Sequence, residues 1–128
     1  MQDRPTAPEL LDAMAAQLFA EVREWVPRER RFQVLVLANL CSVIARELRA
    51  GAEPSLADVR QFRGLLGVPV EPHVPAHEAD ATARATAGEL AAALRRGELD
   101  DRLDEVLAGL REHVARKLEV ARPGYADG

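Results

Sequence analysis

The segment from Arg28 to Arg49 constrains the fold of this chain more than any other stretch. It reads RERRFQVLVLANLCSVIARELR, contains neither Gly nor Pro, and is soon followed by Gly51. The segment is too long for a strand, since strands usually end after about 5–6 residues, and a following glycine is typical of helix ends. Its apolar residues run nearly all the way round a helix, which predicts that protein surrounds this helix on every side. We therefore expect it to be the central helix of a bundle.

Apolar periodicity, with start and stop residues, predicts four further helices. The five predicted helices cover about 7–26, 28–50, 55–66, 78–96 and 101–122. Thr6 with Glu9 reads as a capping box, and Ser55 reads as the N-cap of the third helix. Trp25 is expected to be a packing anchor, and Gly88 is expected to mark a close helix crossing. The predicted fold class is all-α: one domain over 1–128, a five-helix bundle with helix two central.

A proline-rich strap is predicted between helices three and four, over 67–77. Its prolines recur every third residue, which is typical of polyproline II, and the valines between them predict that it lies on apolar surface. His73, His77 and Glu78 are candidate metal ligands by residue type. Pro75 prevents a helix that would bring both histidines to one side, so no metal site and no cofactor are predicted.

Composition narrows the class of protein. A length of 128 residues suits one domain, and a formal net charge of −4 argues against nonspecific nucleic-acid binding. The single cysteine, Cys41, lies in the most apolar helix, which is consistent with a reducing cytoplasm. No apolar run reaches the about 20 residues that span a bilayer. We expect a soluble cytoplasmic protein without a nucleic-acid or membrane partner.

Polar residues in helix two are the candidate site. Asn39 and Arg46 are seven residues apart and share a face with Ser42. In one interpretation they satisfy backbone carbonyls or a carboxylate of a neighbouring helix. In the other they line a polar pocket or a partner groove. The acids lie mostly at helix starts or on exposed faces, His113 is expected to be solvated, and no catalytic motif is present, so no enzyme is predicted.

Three stretches resemble a family of small bacterial proteins, the DUF6285 family. They are RPTAPELLDAMAAQL (4–18), RFQVLVLANLCSVIARELR (31–49) and KLEVARPGY (117–125). The resemblance implies kinship without an assigned activity. It also implies that members are often encoded beside an aminoglycoside-phosphotransferase-like kinase and an acyl-CoA dehydrogenase. The positions carried over from the family pattern are Arg31, Phe32, Asn39, Arg46 and Glu47.

The leading hypothesis is a non-enzymatic accessory protein that partners a phosphotransferase-like kinase or the acyl-CoA dehydrogenase. The alternative is a bundle that binds a small anion, an acyl-CoA or a phosphate, through Asn39, Ser42 and Arg46. A third is an enzyme that uses Arg46 and Glu47. A homodimer is compatible with each, and the thin alanine-rich face of helix four is its expected interface.

Overall fold

A computed structural model describes residues 4–69 and 73–125 of the chain. It contains five α-helices, and no strand occurs within these residues, so the all-α prediction is confirmed. Three of the helices are preceded by a 3-10 turn. The helices are α1 (Ala7–Gln17, continued by a π-helical turn Leu18–Val22 and a last turn Arg23–Trp25), α2 (Arg31–Ala50, after Arg28–Arg30), α3 (Glu53–Leu66), α4 (Ala79–Arg95, after Ala76–Glu78) and α5 (Leu103–Ala121, after Asp100–Arg102).

The backbone divides into two compact units. The first comprises Met1–Gly51 with Val120–Arg122, and the second comprises Ala52–Glu119 with Pro123–Gly128. The single domain expected over 1–128 therefore stays a prediction. Each unit has its own packing, and the two are described in turn.

The first unit is built on a hairpin of α1 and α2. Thr6 and Glu9 form the predicted capping box: the Thr6 amide donates to Glu9 Oε2 at 2.7 Å, and the Glu9 amide donates to Thr6 Oγ1 at 3.4 Å. The hydrogen bond from the Thr6 backbone is the main cause that lowers the pKa of the Glu9 carboxyl. α1 ends before Val26, whose extended backbone (φ −91°, ψ 154°) is what a following proline imposes.

The expectation that protein surrounds α2 on every side is wrong. Its buried residues are small, namely Val34, Ala38 and Ala45. Its largest side chains are exposed, and the list is Phe32, Val36, Leu37, Leu40, Ile44 and Leu48. The physical reason is that α1 is the one long helix that packs on α2 in this unit, and a single neighbour covers only one face of a helix.

The second unit has its core where α3, α4 and α5 meet. Six buried apolar side chains form one cluster: Phe62, Leu65, Leu90, Ala93, Leu99 and Val106. α4 ends at a Schellman-type turn around Gly97 (φ 75°), where the Glu98 amide donates to the Ala93 carbonyl at 3.1 Å. The sequence predicts that helix four ends at residue 96, and the positive φ of the next residue explains why glycine stands there.

Two details of the second unit differ from expectation. α3 begins at Glu53, with Pro54 in its first turn, so Ser55 is not its N-cap. Gly88 is exposed and a Cβ there would meet nothing within 4 Å. The close crossing is at Gly109, where a Cβ would lie 3.0 Å from Leu65 Cδ1. The middle of the predicted strap, 70–72, lies outside the described residues, while Val68 beside it is 43% exposed.

Candidate functional site

The polar residues predicted in α2 have separate surroundings. Asn39 is exposed, and the Ser42 hydroxyl donates to the Ala38 carbonyl one turn earlier in the same helix at 3.3 Å. Arg46 is half-buried; its Nε donates to the Val120 carbonyl and its Nη2 donates to the Ala121 carbonyl at 3.3 Å. Among residues 4–69 and 73–125, no hydrogen bond joins one of these three side chains to another.

Arg46 therefore acts as a cap for the end of α5. The last four carbonyls of a helix have no partner within it, and they carry the negative end of the helix dipole. The Arg46 guanidinium donates hydrogen bonds to the carbonyls of Val120 and Ala121, and its positive charge lies at the negative end of the helix dipole. This matches the first interpretation of Arg46, in which it satisfies backbone carbonyls.

The two remaining predicted site residues lie elsewhere on the hairpin. Arg31 Nη2 is 3.3 Å from Glu24 Oε2, and Arg31 Nε is buried without a hydrogen-bond partner. Glu47 is exposed, and its side chain points about 100° away from that of Arg46, as a step of one residue along a helix dictates. A pocket or partner groove formed by the five residues stays a prediction.

Sequence reasoning missed a polar cluster in the second unit, which we name the Asp58 cluster. Its members are Asp58, Gln61, Glu112, His113 and Arg116. Arg116 donates from both Nε (3.1 Å) and Nη2 (2.6 Å) to Asp58 Oδ1, and Gln61 Nε2 donates to Glu112 Oε2 at 2.7 Å. The Asp58 side chain is only 12% exposed. The cluster joins α3 to α5 around a buried carboxylate.

His113 belongs to this cluster and is not solvated as expected. Its Nδ1 lies 2.9 Å from Asp58 Oδ1, but it is buried and not aligned for a hydrogen bond. Its ring packs on Phe62 with ring centroids 5.0 Å apart, and its side chain is 19% exposed. An aspartate beside a histidine nitrogen is found in acid–base sites, but here Arg116 already balances the carboxylate charge. The arrangement favours a structural role, because buried charges are kept by pairing.

One signal in the sequence pointed to the cluster. Asp58 stands one helical turn before Phe62, on the face of α3 that the apolar residues define, and a carboxylate there needs a buried partner. His113 and Arg116 are three residues apart and share a face of α5. Nothing local indicates that these two faces meet, since the partners are 55 to 58 residues apart in the chain.

Apolar side chains form the other notable surfaces. In the first unit, the α2 ridge consists of Phe32, Val36, Leu40, Ile44 and Leu48, each between 41% and 74% exposed. In the second unit, an open, almost entirely apolar groove of about 310 Å³ runs along α5. This α5 groove is lined by Leu107, Leu110, Arg111, Val114, Ala115 and Leu118. Contiguous exposed apolar surfaces of this kind mark interaction sites.

Within the part of the chain that the structure describes, no three His, Cys, Asp or Glu residues are grouped so that they could hold a metal ion. In the same residues, none of the helices has both the length and the apolar content needed to cross a membrane.

Comparison with known proteins gives one finding about kinship. The family model described as "Domain of unknown function (DUF6285)" matches residues 24–125. The central and C-terminal stretches that resemble the family, 31–49 and 117–125, lie inside the matched range. Neither the curated proteins nor the solved structures contain a match to the chain.

Proposed function

The chain belongs to the DUF6285 family, and we propose that it is a non-enzymatic accessory protein that acts by binding another protein. The partner proposed is the phosphotransferase-like kinase that the family resemblance implies. The observation that carries the proposal is the α5 groove, whose lining residues leave large apolar side chains in water. Leu107 is 49% exposed and Val114 is 50% exposed. The proposal places the protein in the bacterial cytoplasm, where a single free cysteine, Cys41, would stay reduced.

The shape and charge of the α5 groove support a protein partner. It extends from Leu107 to Leu118, which is about three helical turns, the length along which one helix packs on another. Arg111 lies in its lining and Lys117 is exposed on the same helix. An amphipathic helix with apolar residues at intervals of three and four, and acidic residues beside them, fits this surface.

The small-anion alternative has less support. It assigns the anion to Asn39, Ser42 and Arg46, yet the Arg46 guanidinium already donates to the carbonyls of Val120 and Ala121, and the Ser42 hydroxyl donates to Ala38. An anion would have to compete with these bonds. A thermal-shift screen with acyl-CoA and inorganic phosphate tests this alternative, and we expect no rise in melting temperature.

The test of the proposed function is a binding assay between the purified full chain and the purified kinase encoded beside it, at micromolar concentrations. We expect a complex, and Leu107→Glu to weaken it at least about tenfold, because a charge would be buried in an apolar contact. Leu40→Glu is the matched control, since Leu40 (48% exposed) and Leu107 (49%) are equally accessible but lie on different helices. The absence of any complex with the kinase would contradict the proposal.

A further inference from the structure

The exposed apolar residues of the α2 ridge are evenly spaced along the helix. They follow one another at intervals of four: Phe32, Val36, Leu40, Ile44 and Leu48. Each step of four residues turns by about 40° round the helix, so Val36, Leu40 and Ile44 share one face, while Phe32 and Leu48 lie about 80° to either side of Leu40. The middle of the ridge is therefore a face on which a second helix can pack.

The middle of the ridge (Val36, Leu40 and Ile44) and part of α1 lie on one apolar face of the hairpin. The ion pair of Asp12 with Arg49 marks one side of the hairpin. Leu10 and Met14 are each two residues from Asp12, about 200° round α1, and Leu40 is nine residues from Arg49, about 180° round α2. Leu10 is 50% exposed and Met14 54%. These side chains thus share the side opposite the ion pair.

The ridge is also symmetric about Leu40. When a second α2 is placed on it in the opposite direction, Leu40 meets its own counterpart. Val36 then faces Ile44 of the other copy, while Phe32 and Leu48 lie at the two edges of the contact. A two-fold interface requires that residue i contacts j while j contacts i, and Val36, Leu40 and Ile44 meet that condition.

Two polar residues of α2 are also placed symmetrically about Leu40. Gln33 and Glu47 are both exposed, and each is seven residues from Leu40, in opposite directions along one face. Arg30 Nη1 donates to Gln33 Oε1 at 3.1 Å, so a positive charge lies next to Gln33. No ion pair of Glu47 occurs among residues 4–69 and 73–125. In an antiparallel pair, the Gln33 amide and the Arg30 charge of one copy face the Glu47 carboxylate of the other.

We propose that a second copy of this chain covers the α2 ridge, with the two α2 helices crossing at Leu40 about a two-fold axis. The alanine-rich face of helix four, expected from sequence to be the dimer interface, is not free for this role, because Ala83 and Leu90 are buried. The inference goes beyond the proposed function, since it concerns α2 and a second copy rather than α5 and a kinase.

Sedimentation equilibrium of the full chain tests the inference. We expect a species of twice 14.0 kDa for the unaltered chain. Leu40→Glu places two like charges on the two-fold axis and should weaken association about 100-fold or more, because facing like charges cost several kcal/mol. Leu107→Glu, at a site of equal exposure on α5, should stay dimeric. Circular dichroism checks that both variants remain helical.

A charge exchange tests the register. Gln33→Glu should weaken the dimer, and adding Glu47→Lys to it should restore association. Residues 33 and 47 of one chain cannot contact, since 14 residues of helix span about 21 Å, so restoration requires contact between copies. A cysteine at the axis gives a second readout: with Cys41→Ser present, Leu40→Cys should form a cross-linked dimer on oxidation, and Leu107→Cys should not.

Several outcomes would overturn the inference. A monomeric unaltered chain that Leu40→Glu destabilises would mean that another part of the same chain covers the ridge. If the unaltered chain is monomeric and Leu40→Glu does not change its stability, a different protein would have to cover the ridge. A dimer that Leu40→Glu does not weaken would place the interface elsewhere. None of these outcomes bears on kinase binding, which is measured with the variants of the α5 groove.

Discussion

The role of Asp58 becomes clear only from its surroundings in the fold. In the sequence it reads as an acid in the first turn of a helix, while in the fold it is a buried carboxylate bound twice by Arg116 and flanked by His113. Trp25 shows the reverse: expected as a packing anchor, it is 71% exposed. Both differences arise because the burial of a residue depends on which segments pack against it. The type of the residue does not specify those segments.

Neutralising Asp58 should weaken the fold. Asp58→Asn keeps the size of the side chain but leaves Arg116 without its counter-charge in a mostly buried site, so the free energy of unfolding should fall by about 3 kcal/mol. Chemical denaturation measures this loss. Asp80→Asn is the matched control, because Asp80 pairs with Arg84 on the surface of α4, where such pairs contribute less than about 1 kcal/mol. Equal losses in the two variants would contradict the structural role of the cluster.

Glu9 gives a pH-dependent prediction. Its pKa is lowered in the fold, chiefly by the hydrogen bond from the Thr6 backbone. Since the folded pKa lies below the unfolded value of about 4.3, this stabilisation is complete above about pH 4.3 and is lost as the pH falls through the folded pKa. Glu9→Gln should therefore be less stable than the unaltered chain at neutral pH, with the difference vanishing in acid.

Denaturation at a series of pH values measures this difference. A Thr6→Ala background should shrink the effect of Glu9→Gln, because the two side chains form one capping box. A difference that persists at the most acidic pH would show that the ionised carboxylate is not the source of the stabilisation.

At the scale of elements, the helix ends follow local chemistry and the helix contacts do not. The capping box of α1, the break at Val26 and the turn at Gly97 occur where the sequence predicts them. By contrast, the close approach predicted at Gly88 occurs at Gly109, between α5 and Leu65 of α3. A glycine inside a helix leaves room for a close neighbour. The sequence does not show which of several helical glycines a neighbouring helix packs against.

The two helical glycines should respond in opposite directions to alanine. At Gly88 nothing lies within 4 Å, so Gly88→Ala should raise the free energy of unfolding by about 0.5–1 kcal/mol through helix propensity. At Gly109 the new methyl would press on Leu65, which is buried in the core, so Gly109→Ala should lower it by about 1 kcal/mol. Thermal and chemical denaturation measure both. Stabilisation by Gly109→Ala would show that Leu65 repacks freely.

At the scale of the whole molecule, some contacts join residues far apart in sequence. Arg46 donates to the carbonyls of residues 120 and 121, which lie 74 and 75 positions later, and all three residues belong to the first unit. The same contact uses the guanidinium that the small-anion hypothesis needed. The exposed ridge and groove then become the surfaces from which partners are proposed.

Removing the Arg46 cap should loosen the chain without affecting partner binding. Arg46→Met keeps an unbranched side chain but loses hydrogen bonds from a charged donor, so the free energy of unfolding should fall by about 1.5 kcal/mol. Hydrogen exchange should show faster opening of the last turn of α5. Arg49→Met, which removes only an exposed ion pair with Asp12, should have a smaller effect. Unchanged exchange in Arg46→Met would contradict the capping role.

The sequence by itself determined the helical class, the number of helices and most of their ends. These depend on periodicity and on interactions within a few residues, such as those of Thr6 with Glu9. Tertiary structure decided which sides of α2 are covered, which glycine lies at a crossing, and that Asp58 meets His113 and Arg116. An apolar helix surface is the same in sequence whether it will face a core, a second copy or water. Only the positions of helices distant along the chain distinguish these cases, because burial is a property of neighbours and not of the segment itself.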